Sequence, residues 1–244
     1  MKRSANLVTA TLLFIAPASA ADLAVKAPVY KAPPPPMVFI WAGFYAGANA
    51  GYAWGTTTTT DTVANLGGCW AKCGAQWDTK VGGFTGGAQA GYNWQYDHLV
   101  FGVESDIGYL GARGSAAYPL FPVTAANTNG GVFSTARGRF GFAADRVLFY
   151  GTGGWFGADF GSSVNGGFPT NIVNTSSTGF QSGWTAGGGV EWAFAPRWSL
   201  KGEYLHYQVG DQKVGGVCCG GGVIQFFDIK NTGELVRAGV NYHF

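Results

Sequence analysis

Hydrophobic and polar positions alternate along the last eleven residues of the chain. Five apolar residues share one side of an extended strand: Val236, Ala238, Val240, Tyr242 and Phe244. The intervening positions are mostly polar, as expected for a strand with two unlike faces. The unpaired edge of so long a strand would invite aggregation in a soluble domain. The pattern therefore favours the closing strand of a membrane barrel, with its edge paired and its aromatic end at the interface.

Alternation of the same kind predicts seven further strands, which makes eight antiparallel strands in all. Their predicted bounds in chain order are 41–54, 80–96, 98–110, 132–143, 147–160, 180–194, 198–209 and 234–244. The register of strand 147–160 stays open because both of its faces are apolar or glycine. A soluble β-sandwich is the alternative all-β fold for such a pattern.

The predicted connections between these strands alternate in length. The long ones are 55–78, 112–131, 161–177 and 210–233, and the tight ones lie at Asp97, Asp145 and Pro196. Long outer loops, short periplasmic turns and an even strand number are typical of outer-membrane barrels. We therefore predict an all-β fold, an eight-stranded antiparallel transmembrane β-barrel with four long outer loops and short periplasmic turns.

The start of the chain has the pattern of a secretory signal peptide over residues 1–20. Lys2 and Arg3 precede the apolar run Leu7–Ala16, and Ala18-Ser19-Ala20 supplies small residues for cleavage. Without Lys2 and Arg3 the basic residues number 13, equal to the acidic residues, so nothing in the charge indicates nucleic acid.

Residues 21–40 form a separate Pro-rich stretch that includes the run Pro33–Pro36. Proline cannot donate ladder hydrogen bonds and favours an extended, solvated conformation. We interpret this stretch as a periplasmic tether, with a ligand for a proline-recognising module as the alternative. Residues 41–244 are then the barrel, and the composition of the chain, with 41 glycines, 16% aromatic residues and few charges, suits a sheet with one lipid-facing side.

Charged side chains fall on the faces that we expect to point into the barrel, because they cannot face lipid. Four are acidic and four are basic: Glu104, Asp106, Glu191, Glu203, Arg137, Arg139, Lys201 and Arg237. Side chains fill the interior of an eight-stranded barrel. The balanced set is consistent with an ion-pair network that closes the lumen and also with a charged constriction that passes small solutes or ions.

Catalysis and metal binding are not indicated. Glu104 and Asp106 share one face, but the arginines of the neighbouring strand would keep them ionised. His98 lies at a turn and His206 lies on an outward face, where we expect interfacial side chains. We predict no enzyme, no cofactor and no metal.

Four cysteines lie in the first and last long connections, at Cys69, Cys73, Cys218 and Cys219. A secreted protein meets an oxidising compartment, which favours disulfides. A bridge between the two connections and a Cys69–Cys73 bridge are both open, and the sequence does not choose between them.

Several motifs together resemble a known family: Ala21–Ala24 and the Lys-Ala-Pro repeats, then Trp41-Ala-Gly-Phe-Tyr-Ala-Gly47 and the Tyr-His-Phe244 end. The chain resembles the porin-family small outer-membrane proteins of alphaproteobacteria, relatives of OmpA-like and opacity-type barrels. The resemblance implies the cell outer membrane of a Gram-negative bacterium, and it makes Val240, Tyr242 and Phe244 an assembly signal for the barrel-assembly machinery.

The function implied by the resemblance is a structural envelope role with narrow porin activity. The alternative is a surface protein, an adhesin or haemin binder, that engages a host factor or small ligand through its outer loops. Outer-membrane lipid and lipopolysaccharide are the other expected partners, and the sequence leaves the oligomeric state open.

Overall fold

The structure is a computed structural model, and it describes residues 39–62, 74, 76–118, 121–168, 171–218 and 223–244. The predicted signal peptide at 1–20 lies outside the described residues, and so does the tether except for Phe39 and Ile40. Among the residues described, no helix is long and apolar enough to span a membrane.

Nine strands make up the described chain. They are β1 (Gly43–Asp61), β2 (Gln76–Tyr96), β3 (Leu99–Leu110), β4 (Arg113–Tyr118), β5 (Phe121–Ala144), β6 (Val147–Phe168), β7 (Asn171–Ala195), β8 (Trp198–Cys218) and β9 (Val223–His243). Neighbours in the chain pair antiparallel, except β3 and β4, and β9 returns to pair with β1. Since β3 and β4 both lie between β2 and β5, they occupy one position. The ring therefore has eight positions, which confirms the predicted antiparallel barrel.

Three tight turns mark one end of the ring, which we call the turn end. They lie at Asp97-His98, Asp145-Arg146 and Pro196-Arg197, as predicted. Asp97 and Asp145 adopt positive φ angles of 54° and 50°. Aspartate tolerates this left-handed backbone better than most residues because its short side chain can bond locally.

The strands run further than the apolar alternation indicates. The ranges 55–78, 112–131, 161–177 and 210–233 were predicted as long connections, but paired strand continues into each of them. The Thr56–Thr60 run, for example, pairs with both β2 and β9. The bounds differ because the outer face turns polar there while β-branched residues keep a strong preference for strand.

The two faces of the wall differ along the whole ring. Large apolar side chains such as Phe44, Trp94 and Phe140 are exposed on the outside. The register of β6, which the sequence left open, turns Leu148 and Tyr150 inward and Phe149 outward. This arrangement suits a wall surrounded by lipid and filled by its own side chains.

Glycine allows neighbouring strands to approach closely inside the narrow ring. A Cβ added at Gly51 would meet the Val236 carbonyl oxygen and the Arg237 backbone on β9. At Gly202, on the outside, a Cβ would meet nothing within 4 Å. The inward glycines are thus required by packing, whereas the outward one is not.

Candidate functional site

The eight inward charges that the sequence singled out form one layer across the lumen, which we call the belt. Each of these residues exposes 4% or less of its surface. Three oppositely charged pairs are direct partners in strand register: Glu104 with Arg137, Glu191 with Lys201, and Glu203 with Arg237. The period of two along each strand therefore places opposite charges side by side.

Arg137 connects three carboxylates. Its Nη2 donates to Glu104 Oε1 at 2.5 Å and to Asp106 Oδ2 at 2.7 Å. Its Nη1 donates to Glu203 Oε1 at 3.2 Å. The Thr135 hydroxyl supports this group, since it donates to Asp106 Oδ2 at 2.6 Å and accepts from Arg137 Nε at 3.2 Å. A fork of guanidinium donors suits such multiple contacts better than a lysine would.

Lys201 and Arg237 close the same group from β8 and β9. Lys201 Nζ donates to both oxygens of Glu104 at 3.0 Å. Arg237 Nε donates to Glu203 Oε2 at 2.7 Å, and its Nη2 lies 3.1 Å from Asp106 Oδ2. Every carboxylate of this half of the belt therefore contacts at least two cations, which offsets its desolvation.

Two tyrosines link the other half of the belt to the first. Arg139 donates from Nη2 to Glu191 Oε2 at 2.7 Å and from Nη1 to the Tyr45 hydroxyl at 2.9 Å. Tyr45 in turn donates to Glu104 Oε2 at 2.7 Å. The Arg139 guanidinium also lies 4.1 Å from the centre of the Tyr150 ring, a cation–π contact. One continuous network thus joins all eight charges.

Apolar layers bound the belt on both sides. Toward the turn end lie Val100, Ala143, Leu148 and Ala193, together with Phe39 and Trp41. On the opposite side the rings of Phe133, Phe156 and Tyr207 stack with centroids 6.0 and 4.6 Å apart, and Leu205 and Leu235 join them. Apolar neighbours keep water from the belt, which strengthens its ion pairs and raises the cost of breaking one.

A serine, a histidine and a glutamate meet at the turn end of the belt. Ser199 Oγ lies 2.9 Å from His243 Nε2 and donates to Glu191 Oε1 at 2.5 Å. In a nucleophilic triad the acid orients the far nitrogen of the histidine. Here Glu191 instead accepts the hydrogen bond of the serine hydroxyl and lies 3.6 Å from the same Nε2. The contacts of these three residues therefore do not activate the serine.

The two histidines considered from the sequence lie outside the lumen. His98 is in the first tight turn, where its Nδ1 lies 3.1 Å from the Ala143 carbonyl oxygen. His206 Nδ1 lies 2.8 Å from Glu234 Oε1 on the outside of the wall, and the Tyr204 hydroxyl donates to the same carboxylate. Tyr204, His206 and Glu234 thus form a polar group on the outside of the wall that is separate from the belt.

The remaining predicted site residues lie at the ends of the strands. Val240 and Phe244 are outward and exposed, and Tyr242 packs against Trp198 with ring centroids 5.1 Å apart. Cys69, Cys73 and Cys219 lie outside the described residues. Cys218 ends β8, and its predicted disulfide stays a prediction.

Several belt partners were not foreseen from the sequence. Tyr45, Tyr150, Ser199 and His243 are buried in or beside the network, although none carries a permanent charge. The signal for Tyr45, Ser199 and His243 was available, since each falls on the inward side of the alternation of its strand. The face of Tyr150 was open because the register of strand 147–160 was.

Comparison with known proteins identifies the class that this fold defines. The family model of the outer membrane protein beta-barrel domain matches residues 7–244, and the chain belongs to this family. It is 34% identical to the 31 kDa outer-membrane immunogenic protein of Brucella melitensis biotype 1, over 99% of this chain and 100% of that protein. The family predicted from the Trp41–Gly47 motif and the Phe244 end is therefore confirmed, and the protein is an outer-membrane β-barrel protein of a Gram-negative bacterium.

Solved structures show the same fold at low identity. The outer membrane protein OprG from Pseudomonas aeruginosa has a TM-score of 0.53 and 12% identity, over 84% of this chain and 99% of that chain. The outer membrane protease OmpT from Escherichia coli has a TM-score of 0.52 and 10% identity, over 84% and 98%. At these identities the likeness concerns the fold alone.

Proposed function

We propose that the protein is a structural component of the outer membrane whose lumen is closed in the folded state. The observation that carries this proposal is the continuous belt between two apolar layers. An ion crossing the lumen would have to break buried ion pairs and also pass the stacked rings of Phe133, Phe156 and Tyr207. Passage of small solutes is then confined to states in which the belt and these layers rearrange.

Solute efflux from liposomes tests this function. Vesicles loaded with a small sugar or with chloride and carrying the refolded protein should retain their contents as well as protein-free vesicles do. A known open porin reconstituted at the same density is the positive control. Rapid efflux through folded wild-type protein would contradict the closed lumen and support narrow porin activity.

A second function, surface binding, is favoured by the length of the strands. A membrane-spanning strand needs about 9–11 residues, whereas β1 to β9, apart from β3 and β4, have 19 to 25. The extra length is paired and polar outside, as at Thr58 and Asp78, whose side chains share a hydrogen bond of 2.8 Å. These strand extensions would hold the outer loops away from the membrane, where the loops could bind a host factor or small ligand.

Loop exchange separates the two functions. Replacing the tips of all four outer connections, around residues 63–73, 119–120, 169–170 and 219–222, with short Gly-Ser turns should leave folding and liposome retention unchanged. If the tips bind a surface partner, the exchange removes binding of the refolded protein to host-cell matrix components. Binding that survives all four tip exchanges would contradict this second function.

A further inference from the structure

Residues 39–41 enter the turn end of the lumen before β1 begins. The Trp41 side chain is fully buried and Phe39 is 8% exposed, whereas Ile40 between them is 70% exposed. Such alternation is that of an extended segment with two aromatic side chains pointing inward. The segment therefore fills the end of the barrel from inside.

Side chains of β2 hold the backbone of this segment. The Trp41 amide N–H donates to Gln95 Oε1 at 2.7 Å, and its carbonyl oxygen accepts from Asn93 Nδ2 at 3.2 Å. Strand register with β2 begins only at Gly43, and register with β9 begins at Tyr45. The segment is thus attached by amide side chains and not by a strand ladder.

Its two rings occupy an aromatic and apolar pocket. The ring centroids of Phe39 and Trp41 lie 4.7 Å apart, and both meet the His243 ring edge-on, at 5.2 and 5.8 Å. Val100 and Leu148 belong to the same cluster. Main-chain hydrogen bonds together with pockets for alternate side chains are the two elements by which proteins recognise extended peptides.

We propose that the turn end of the barrel is a socket for an extended aromatic-x-aromatic peptide, and that Phe39–Trp41 of this same chain occupies it as a removable plug. The inference deepens the proposed closed lumen, on which its physiological meaning rests. Pro33–Pro36 come shortly before the plug in the sequence and lack the N–H groups that a strand ladder needs. The plug can therefore leave without unpairing any strand.

Thiol labelling inside the socket tests the proposal in the full mature chain. The four cysteines are replaced by serine, and Ala193→Cys, at a fully buried position of the socket, serves as the reporter. We expect Phe39→Ser/Trp41→Ser to raise the rate at which a small charged thiol reagent labels the socket by at least about tenfold. The segment can then leave the socket without exposing two buried rings to water. The matched control Ile40→Ser should leave the rate within about twofold of the parent, since that side chain is already exposed.

Peptide protection then tests recognition. A synthetic peptide of residues 38–42 should slow labelling of the double variant again, and the same peptide with serine at both aromatic positions should not. A folded double variant that labels at the parent rate would overturn the plug, as would an equal effect of Ile40→Ser. Absence of protection by the peptide would overturn the socket.

Controls keep these outcomes separable. Far-ultraviolet circular dichroism and heat-dependent gel mobility establish folding, and the single variant Phe39→Ser decides the question if the double variant does not fold. Labelling reports access to the socket and not passage through the barrel. Efflux through wild-type protein would therefore contradict the closed lumen, while the labelling rates alone decide the plug.

Discussion

Two groups of ionisable side chains lie on opposite faces of the same wall. In the belt, the side chains of Arg137 and its carboxylate partners are at most 2% exposed. On the outside, those of His206 and Glu234 are 32% and 28% exposed. The charged groups of the belt contact one another in place of water, whereas the outer pair keeps access to water. A charged side chain therefore matters most to stability where its loss leaves a charged partner buried.

The largest effect should come from the centre of the belt. Arg137→Ala leaves Glu104, Asp106 and Glu203 without their shared partner, and removing one member of a buried pair costs about 3–5 kcal/mol. We expect a loss of that size in the free energy of unfolding, measured by urea titration of the folded protein in detergent micelles. Arg197→Ala, in an exposed turn where Arg197 bonds Tyr242, is the matched control and should change little. Equal losses in the two variants would refute the contrast.

Packing of the wall behind the belt gives the next effect. Gly51→Ala places a methyl group against the β9 backbone, and overpacking of this kind costs up to about 3 kcal/mol. Gly202→Ala adds the same group where no atom lies within 4 Å and should be neutral. Refolding yield and urea midpoint measure both variants. A destabilised Gly202→Ala would show that outward glycines also serve packing.

A smaller loss should follow from a neutral member of the network. Thr135→Val removes a hydroxyl that donates to Asp106 and accepts from Arg137, and hydrogen bonds to charged groups contribute about 1.5–3 kcal/mol. Thr152→Val removes an exposed hydroxyl that donates to the Gly138 carbonyl oxygen and should cost less. The same urea titration compares the two variants. A larger loss of stability in Thr152→Val than in Thr135→Val would show that the Thr135 hydroxyl does not support the belt.

The smallest effect is expected on the outer wall. Glu234→Gln removes the carboxylate charge beside His206 but leaves a partly solvated amide in its place, so the loss should stay below about 1 kcal/mol. A double-mutant cycle with His206→Gln measures the coupling between the two side chains. A coupling energy as large as that between Arg139 and Glu191 would show that the outer pair is as poorly solvated as the belt.

The charged positions of the belt followed from alternation, because a period of two and the cost of facing lipid leave only the lumen for them. The pairing did not follow. Glu191 and Lys201 are opposite in register, yet Glu191 bonds Arg139 and Lys201 bonds Glu104. Strand register specifies only the partners on adjacent strands, whereas long side chains reach across the narrow lumen to strands on the other side.

The ends of the strands were harder to predict than their centres. The sequence marks the apolar band, so its end was taken as the end of the strand, although Thr56–Thr60 continue the ladder. The inward position of Phe39 and Trp41 was missed for a different reason. The Pro-rich composition up to Pro36 extended the predicted tether to residue 40, and because Phe39, Ile40 and Trp41 are all apolar, only their burial shows which of them face inward.

Single-channel recording in a planar bilayer tests the closed lumen most directly. We expect folded wild-type protein to give no discrete current steps at either polarity, and Arg197→Ala to be equally silent. Discrete steps in the wild type whose size changes in Arg137→Ala or Glu104→Ala, but not in Arg197→Ala, would place the current in the belt and contradict the closed lumen.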